Sequence, residues 1–202
     1  MKLNNYLIKL KTIINTNKKI IYIISSILTL LFSIFNRILG IIKHSMWHET
    51  ISIYYLLLVL IKGLLLIFIY KNHNNYLVKF KIIKVLLIIL NIFLIFPIIL
   101  LINDKRIIEM TLIPSICVAL YVTIKSIIVI EQFIRRSETN ILIKELRTIN
   151  LMDVVISILT LTNTLIAVNS NEYNIKMHYL TVIVCIIGYI FNCGLLVRLK
   201  IN

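Results

Sequence analysis

Residues 45–70, SMWHETISIYYLLLVLIKGLLLIFIY, constrain this chain more than any other stretch. Over 51–70 the only charge is Lys62. A bilayer core of ~30 Å takes ~20 helical residues at ~1.5 Å each. Hydrocarbon offers the backbone no water to bond, so such a segment must be helical. Trp47 at one end, and Tyr70 followed by Lys71 at the other, suit the two interfaces. The rival is a buried helix of a soluble domain. Repetition argues against it, because five further apolar segments occur at about 20–42, 83–102, 107–130, 151–168 and 177–197. The expected architecture is all-α: a polytopic membrane protein with a six-helix transmembrane bundle and an N-terminal amphipathic segment.

Composition agrees. The chain has 202 residues and is 60% hydrophobic, above the ~45–50% of soluble domains. That length accommodates six spans with short loops in one domain, 20–202, after a basic segment at 1–19. A net charge of +14 suits nucleic acid or a membrane surface. The membrane explains it better, because the charges gather at segment ends, and no nucleic-acid partner is expected. Fifteen Lys and Arg fall on the side of the N-terminal segment and four on the other. The positive-inside rule then puts both termini in the cytoplasm, which requires an even number of spans.

In the first segment Leu3, Tyr6, Leu7, Leu10, Ile13 and Ile14 recur at helical spacing, with Lys2, Lys9, Lys11, Lys18 and Lys19 beside them. One reading is an amphipathic helix on anionic lipid at the cytoplasmic face; the other is a basic tail that fixes orientation. Residues 20–42 are long for a signal-peptide core and no small-residue cleavage site follows, so an uncleaved span is expected. The charged run 131–150 carries Ile141, Ile143, Leu146 and Ile149 among its charges, which suggests a short interfacial helix.

Charges inside spans are rare and usually face the protein interior. Here they are Arg37, Lys62, Glu109, Lys125 and Asp153. Counting helical rise from the expected span ends puts Lys125 and Asp153 at one depth, as a structural ion pair. Arg37 and Glu109 are possible partners near the outer face, with Glu49 a rival for Arg37. Lys62 has no acid at its expected depth. It either snorkels to the headgroups or points into a polar interior with Tyr55, Asn91 and Asn163. In the fifth span Asp153, Ser157, Thr160 and Thr164 form one polar face, and in the sixth Thr181, Cys185, Gly188 and Asn192 form another. Such stripes also serve ordinary helix packing.

Enzyme and cofactor signatures fail in turn. There is no GxSxG or Walker sequence, and four glycines cannot build a phosphate loop. His44 and His48 would share a helix face, near Glu49 and His178, yet HExxH is missing and ligand-free interfacial histidines are the expectation. Cys185 and Cys193 are ~12 Å apart along one helix, too far for a disulfide. Neither a metal nor a cofactor is expected.

In Ser45, Trp47, Tyr54, Tyr55 and Lys62 the second span resembles a group of small, uncharacterised multi-pass membrane proteins of Gram-positive bacteria. The fifth span, LMDVVISILTLTNTLIA, is similar to theirs as well. The position of Lys62 more often looks like arginine there. The resemblance implies location and topology but no reaction. Two function classes stay open. One is a small binding or transport component, similar in size to substrate-binding subunits of modular vitamin transporters. The small-residue coupling motif expected for those is missing from the bulky ILTLLFSIFNRIL. The other is a non-catalytic regulatory, structural or immunity-type protein acting through a membrane-protein partner.

Overall fold

The computed structural model describes residues 2–70, 76–103, 112–134, 141–169 and 175–198. Within them the chain forms seven helices: α1 Lys2–Lys43, α2 Met46–Tyr70, α3 Tyr76–Phe93, α4 Ile95–Asn103, α5 Leu112–Ile134, α6 Ile141–Asn169 and α7 Ile175–Arg198. Six stretches are long and apolar enough to cross a membrane, with α3 and α4 together making the third. Polarity is arranged for lipid. Ile27, Leu31, Ile34, Leu60, Ile67, Ile127, Ile187 and Ile190 are exposed, while Ser25, Thr29, Asn36, Lys62, Lys125 and Asp153 are buried. A soluble protein would leave that apolar shell facing water. The protein is an all-α, multi-pass membrane bundle.

Backbone chemistry sets the joints. His44 ends α1 in the left-handed region at φ 48°, and Ser45 N–H donates to the Gly40 carbonyl at 3.0 Å. That is a Schellman closure, which satisfies a carbonyl at the helix end. The Ser45 carbonyl then accepts from Glu49 N–H at 3.2 Å, so α2 starts at once. A Cβ on Gly40 would sit 3.0 Å from the Glu49 backbone nitrogen. Glycine is what lets α1 and α2 close into a hairpin. The third span breaks at Leu94, three residues before Pro97. A proline ring crowds the carbonyl four residues earlier and offers no N–H, which accounts for the break.

The α1 backbone is helical from Lys2 to Lys43, and the stretch apolar enough to span begins at Ile20; the side chains of 1–19 lie outside the described residues. Two expectations are revised. The interfacial helix expected at 141–149 is the first part of α6. Leu142, Leu146 and Ile149 are buried with the rest of the span, so no boundary falls at Leu151. His44 and His48 do not share a helix, because His44 occupies the turn. His48 is buried with Nδ1 3.1 Å from Asn36 Oδ1. The side chain of His178 lies outside the described residues.

Candidate functional site: a buried Lys–Asp–Lys triad

Residues from α1, α2, α5 and α6 meet midway along the bundle. Asp153 lies twelve positions after the start of α6, ~18 Å along its axis. Its Oδ2 accepts from Lys125 Nζ of α5 at 2.7 Å and from Lys62 Nζ of α2. All three side chains are 0% exposed. Thr29 of α1 completes the group. Its hydroxyl lies 2.8 Å from Asp153 Oδ2, and both ammoniums donate to it, Lys62 at 3.2 Å. The Ser25 carbonyl is also 2.8 Å from Thr29 Oγ1. One hydroxyl proton cannot serve both acceptors, so Thr29 chooses between Asp153 and Ser25.

Lys125 spends all three N–H donors, on Asp153, Thr29 and the Ser25 carbonyl at 2.6 Å. Lys62 spends two, on Asp153 and Thr29. The other carboxylate oxygen, Oδ1, accepts from Tyr121 O–H at 3.3 Å and faces Ser157 Oγ at 3.5 Å. Tyr55 joins through Ser157, with 3.2 Å between the hydroxyls. Around this lies an aromatic wall. Phe32 stacks on Tyr121 at 3.8 Å and meets Tyr55 edge-on at 5.0 Å. Lys125 Nζ is 5.9 Å from the Tyr121 ring, within cation–π range. Two ammoniums thus face one carboxylate in a water-poor interior, where charges need partners to be tolerated.

A polar seam continues toward the end where the first span begins. Ser25 Oγ donates to Asn150 Oδ1 at 3.2 Å, and Asn150 Nδ2 donates to Gln132 Oε1 at 2.9 Å. Toward the α1–α2 turn, Ser33 donates to the Ser52 carbonyl at 2.8 Å and Asn36 meets His48.

The sequence-expected residues divide. Lys125 and Asp153 meet. Lys62 does have an acid at its depth: it binds the same carboxylate oxygen. The expectation failed because α6 starts at Ile141 rather than Leu151, which carries Asp153 to the middle of the helix. Tyr55 reaches the triad through Ser157. Asn91 and Asn163 do not; they bond sulfur on α7, Cys193 at 3.7 Å and Cys185 at 3.5 Å. Both cysteines are free thiols. Arg37 pairs with Glu49 at 3.3 Å, while Glu109 lies outside the described residues. Sequence reasoning missed α1 as a contributor. Ser25, Thr29, Ser33 and Asn36 recur at steps of four, four and three, and all four are buried. That period was available in the sequence.

A small apolar recess of about 10 Å³ lies elsewhere, among Trp47, Ile51, Leu94, Pro97, Thr160 and Cys185. It borders the break in the third span, not the triad. Among the described residues no three His, Cys, Asp or Glu cluster as metal ligands. Nothing matches the chain in comparisons with protein-family models, curated proteins and solved structures.

Proposed function

We propose that this multi-pass protein is a small, non-enzymatic binding or transport component of the cell membrane, with the Lys62–Asp153–Lys125 triad as its working site and a small anion as its ligand. The observation that carries the reading is stoichiometry: two ammoniums share one carboxylate oxygen. Among the described residues Lys62 retains one N–H beyond its bonds to Asp153 and Thr29, and an anion accepting it brings two negative charges to two positive ones. The Phe32–Tyr121 stack beside the site keeps water away, which strengthens such an interaction. Both termini face the cytoplasm on this reading, with the basic N-terminal segment against anionic lipid. The resemblance of the second and fifth spans to small Gram-positive multi-pass proteins supports the same placement.

A second reading has its own observation. The triad is completely enclosed, as expected of a structural clamp in a protein that acts through a membrane partner. Purification in mild detergent separates the two. A co-purifying ATPase supports the transport component, and a single non-transporter partner supports the regulatory or immunity-type protein.

A further inference from the structure

Glu145 is the second buried acid of α6. It is 1% exposed, yet neither carboxyl oxygen has a hydrogen-bond partner among the described residues. Its position is four residues after the start of α6, ~6 Å from that end. Gln132 of α5 lies at the same level. In the antiparallel register that brings Lys125 to Asp153, moving seven residues along α5 and eight back along α6 reaches Gln132 and Glu145. Gln132 Nε2 is likewise buried and unpartnered.

These groups end an ordered seam. Ser25 donates to Asn150, Asn150 donates to Gln132, and the next donor, Gln132 Nε2, has no acceptor among the described residues. A metal cation is a poor occupant, because Gln132 offers a donor and its oxygen already accepts from Asn150. A group that both accepts and donates, such as water, suits a free amide N–H and a carboxyl at one end of the bundle, and water reaching a carboxyl there can deliver a proton. Burial disfavours the ionised form of such a carboxyl and favours the protonated one.

The charge arithmetic ties this residue to the triad. With Glu145 ionised, the buried Lys62, Lys125 and Arg147 exceed Asp153 and Glu145 by one positive charge. A proton on Glu145, ~12 Å along α6 from Asp153, raises that excess to two and favours an anion at the triad. We propose that Glu145 is a proton-binding site open to the end of the bundle where the first span begins, and that a proton there and an anion at the triad bind together. One O–H bond forms on the carboxylate, and the hydronium that supplies it becomes water. Linkage requires that each ligand raise affinity for the other. Among the described residues, the other ionisable groups at this end are Arg147 and Lys144 on α6, Glu131 on α5, Tyr70 on α2, Lys79, Lys81 and Lys84 on α3 and Tyr22 on α1, whose hydroxyl accepts from Arg147 Nε at 3.3 Å. The side chains of Lys18 and Lys19 on α1 and of Arg198 on α7 lie outside the described residues. The proton half stands on Glu145 and Gln132 alone, whereas the anion half rests on the proposed function.

The test uses the purified wild-type protein in nanodiscs. A hydrophobic carbodiimide, which attacks protonated buried carboxyls, should label Glu145 by peptide mass spectrometry, and labelling should fall as pH rises. Labelling of the other acids with Glu145 untouched overturns the proton site, as does blockade of Glu145 by sodium at constant pH. In weakly buffered solution, chloride or inorganic phosphate should then drive uptake of about one proton per protein, lost in Glu145→Gln. Carbodiimide labelling without anion-driven uptake overturns the coupling and the anion reading while leaving the proton site standing. A Glu145→Gln protein that folds and still takes up the proton overturns the proposal.

Discussion

Lys62 and Lys125, from helices separated by two others in the chain, close on the same oxygen of Asp153. The two lysines are not equivalent. Among the described residues Lys125 has all its N–H donors engaged and Lys62 has one to spare. Most expectations below follow from that asymmetry.

Removing the shared acid leaves two buried ammoniums without a counter-charge. Asp153→Asn should cost ~3–5 kcal/mol, the usual result of breaking a buried ion pair from one side. Lys125→Met should cost less, since the Lys62–Asp153 pair survives, though the Ser25 carbonyl loses a donor. Lys62→Met should be near neutral or stabilising, because it leaves one ammonium on one carboxylate. Folded yield after graded heating, read by size-exclusion chromatography, checks the order. Lys62→Met as damaging as Asp153→Asn would refute the asymmetry.

Thr29→Val keeps the shape and removes the hydroxyl that touches all three charges. The expected loss is ~1–3 kcal/mol, the cost of leaving buried partners unsatisfied. Thr123→Val is the control, because that hydroxyl is exposed and bonds only the Ala119 carbonyl of its own helix. Equal losses at the two positions in a thermal-stability assay would mean that Thr29 serves the helix rather than the triad.

At the α1–α2 turn, His44→Gly should stabilise, since relief of ~1–2 kcal/mol of left-handed strain exceeds the ~0.5–1 kcal/mol of conformational entropy that glycine loses on folding. Gly40→Leu should do the reverse by ~1–3 kcal/mol, because its side chain would enter the space of Glu49. Thermal unfolding of the two variants reads the opposite signs directly.

Topology has its own check. Single cysteines at Asn5, Asn103, Ser137 and Asn171, in a background with the native cysteines removed, can be labelled from outside the cell. Only those at Asn103 and Asn171 should react. Outside labelling at Asn5 would reverse the orientation drawn from the fifteen-to-four Lys and Arg distribution.

Much of this bundle was legible in the sequence, and the failures share a cause. Apolar length marks a span, so the six crossings were readable. Depth within a span depends on where the helix begins, and charges blurred that point. Lys144, Glu145 and Arg147 made residues 141–149 look interfacial, yet Glu145, Leu146 and Arg147 are buried and α6 runs through them. That ten-residue error hid the partner of Lys62. The stripe of Ser25, Thr29, Ser33 and Asn36 was periodic but lay among bulky residues, and its role depends on acids and lysines supplied by other helices. Asn91 and Asn163 show the opposite error: polar residues inside spans found local thiol partners and no common cavity.

Anion-dependent stability tests the triad most directly. Wild type, Lys62→Met and Lys125→Met, each in nanodiscs at fixed pH and ionic strength, would be heated with chloride, inorganic phosphate or acetate. A ligand at a hundred times its Kd stabilises the folded state by ~2.7 kcal/mol. The expected result is a rise in Tm for wild type with at least one of these anions, and a flat response for Lys62→Met at undiminished basal stability. A Lys62→Met protein that responds as wild type does, or a wild type that none of the three anions stabilises, would contradict an anion site at Lys62.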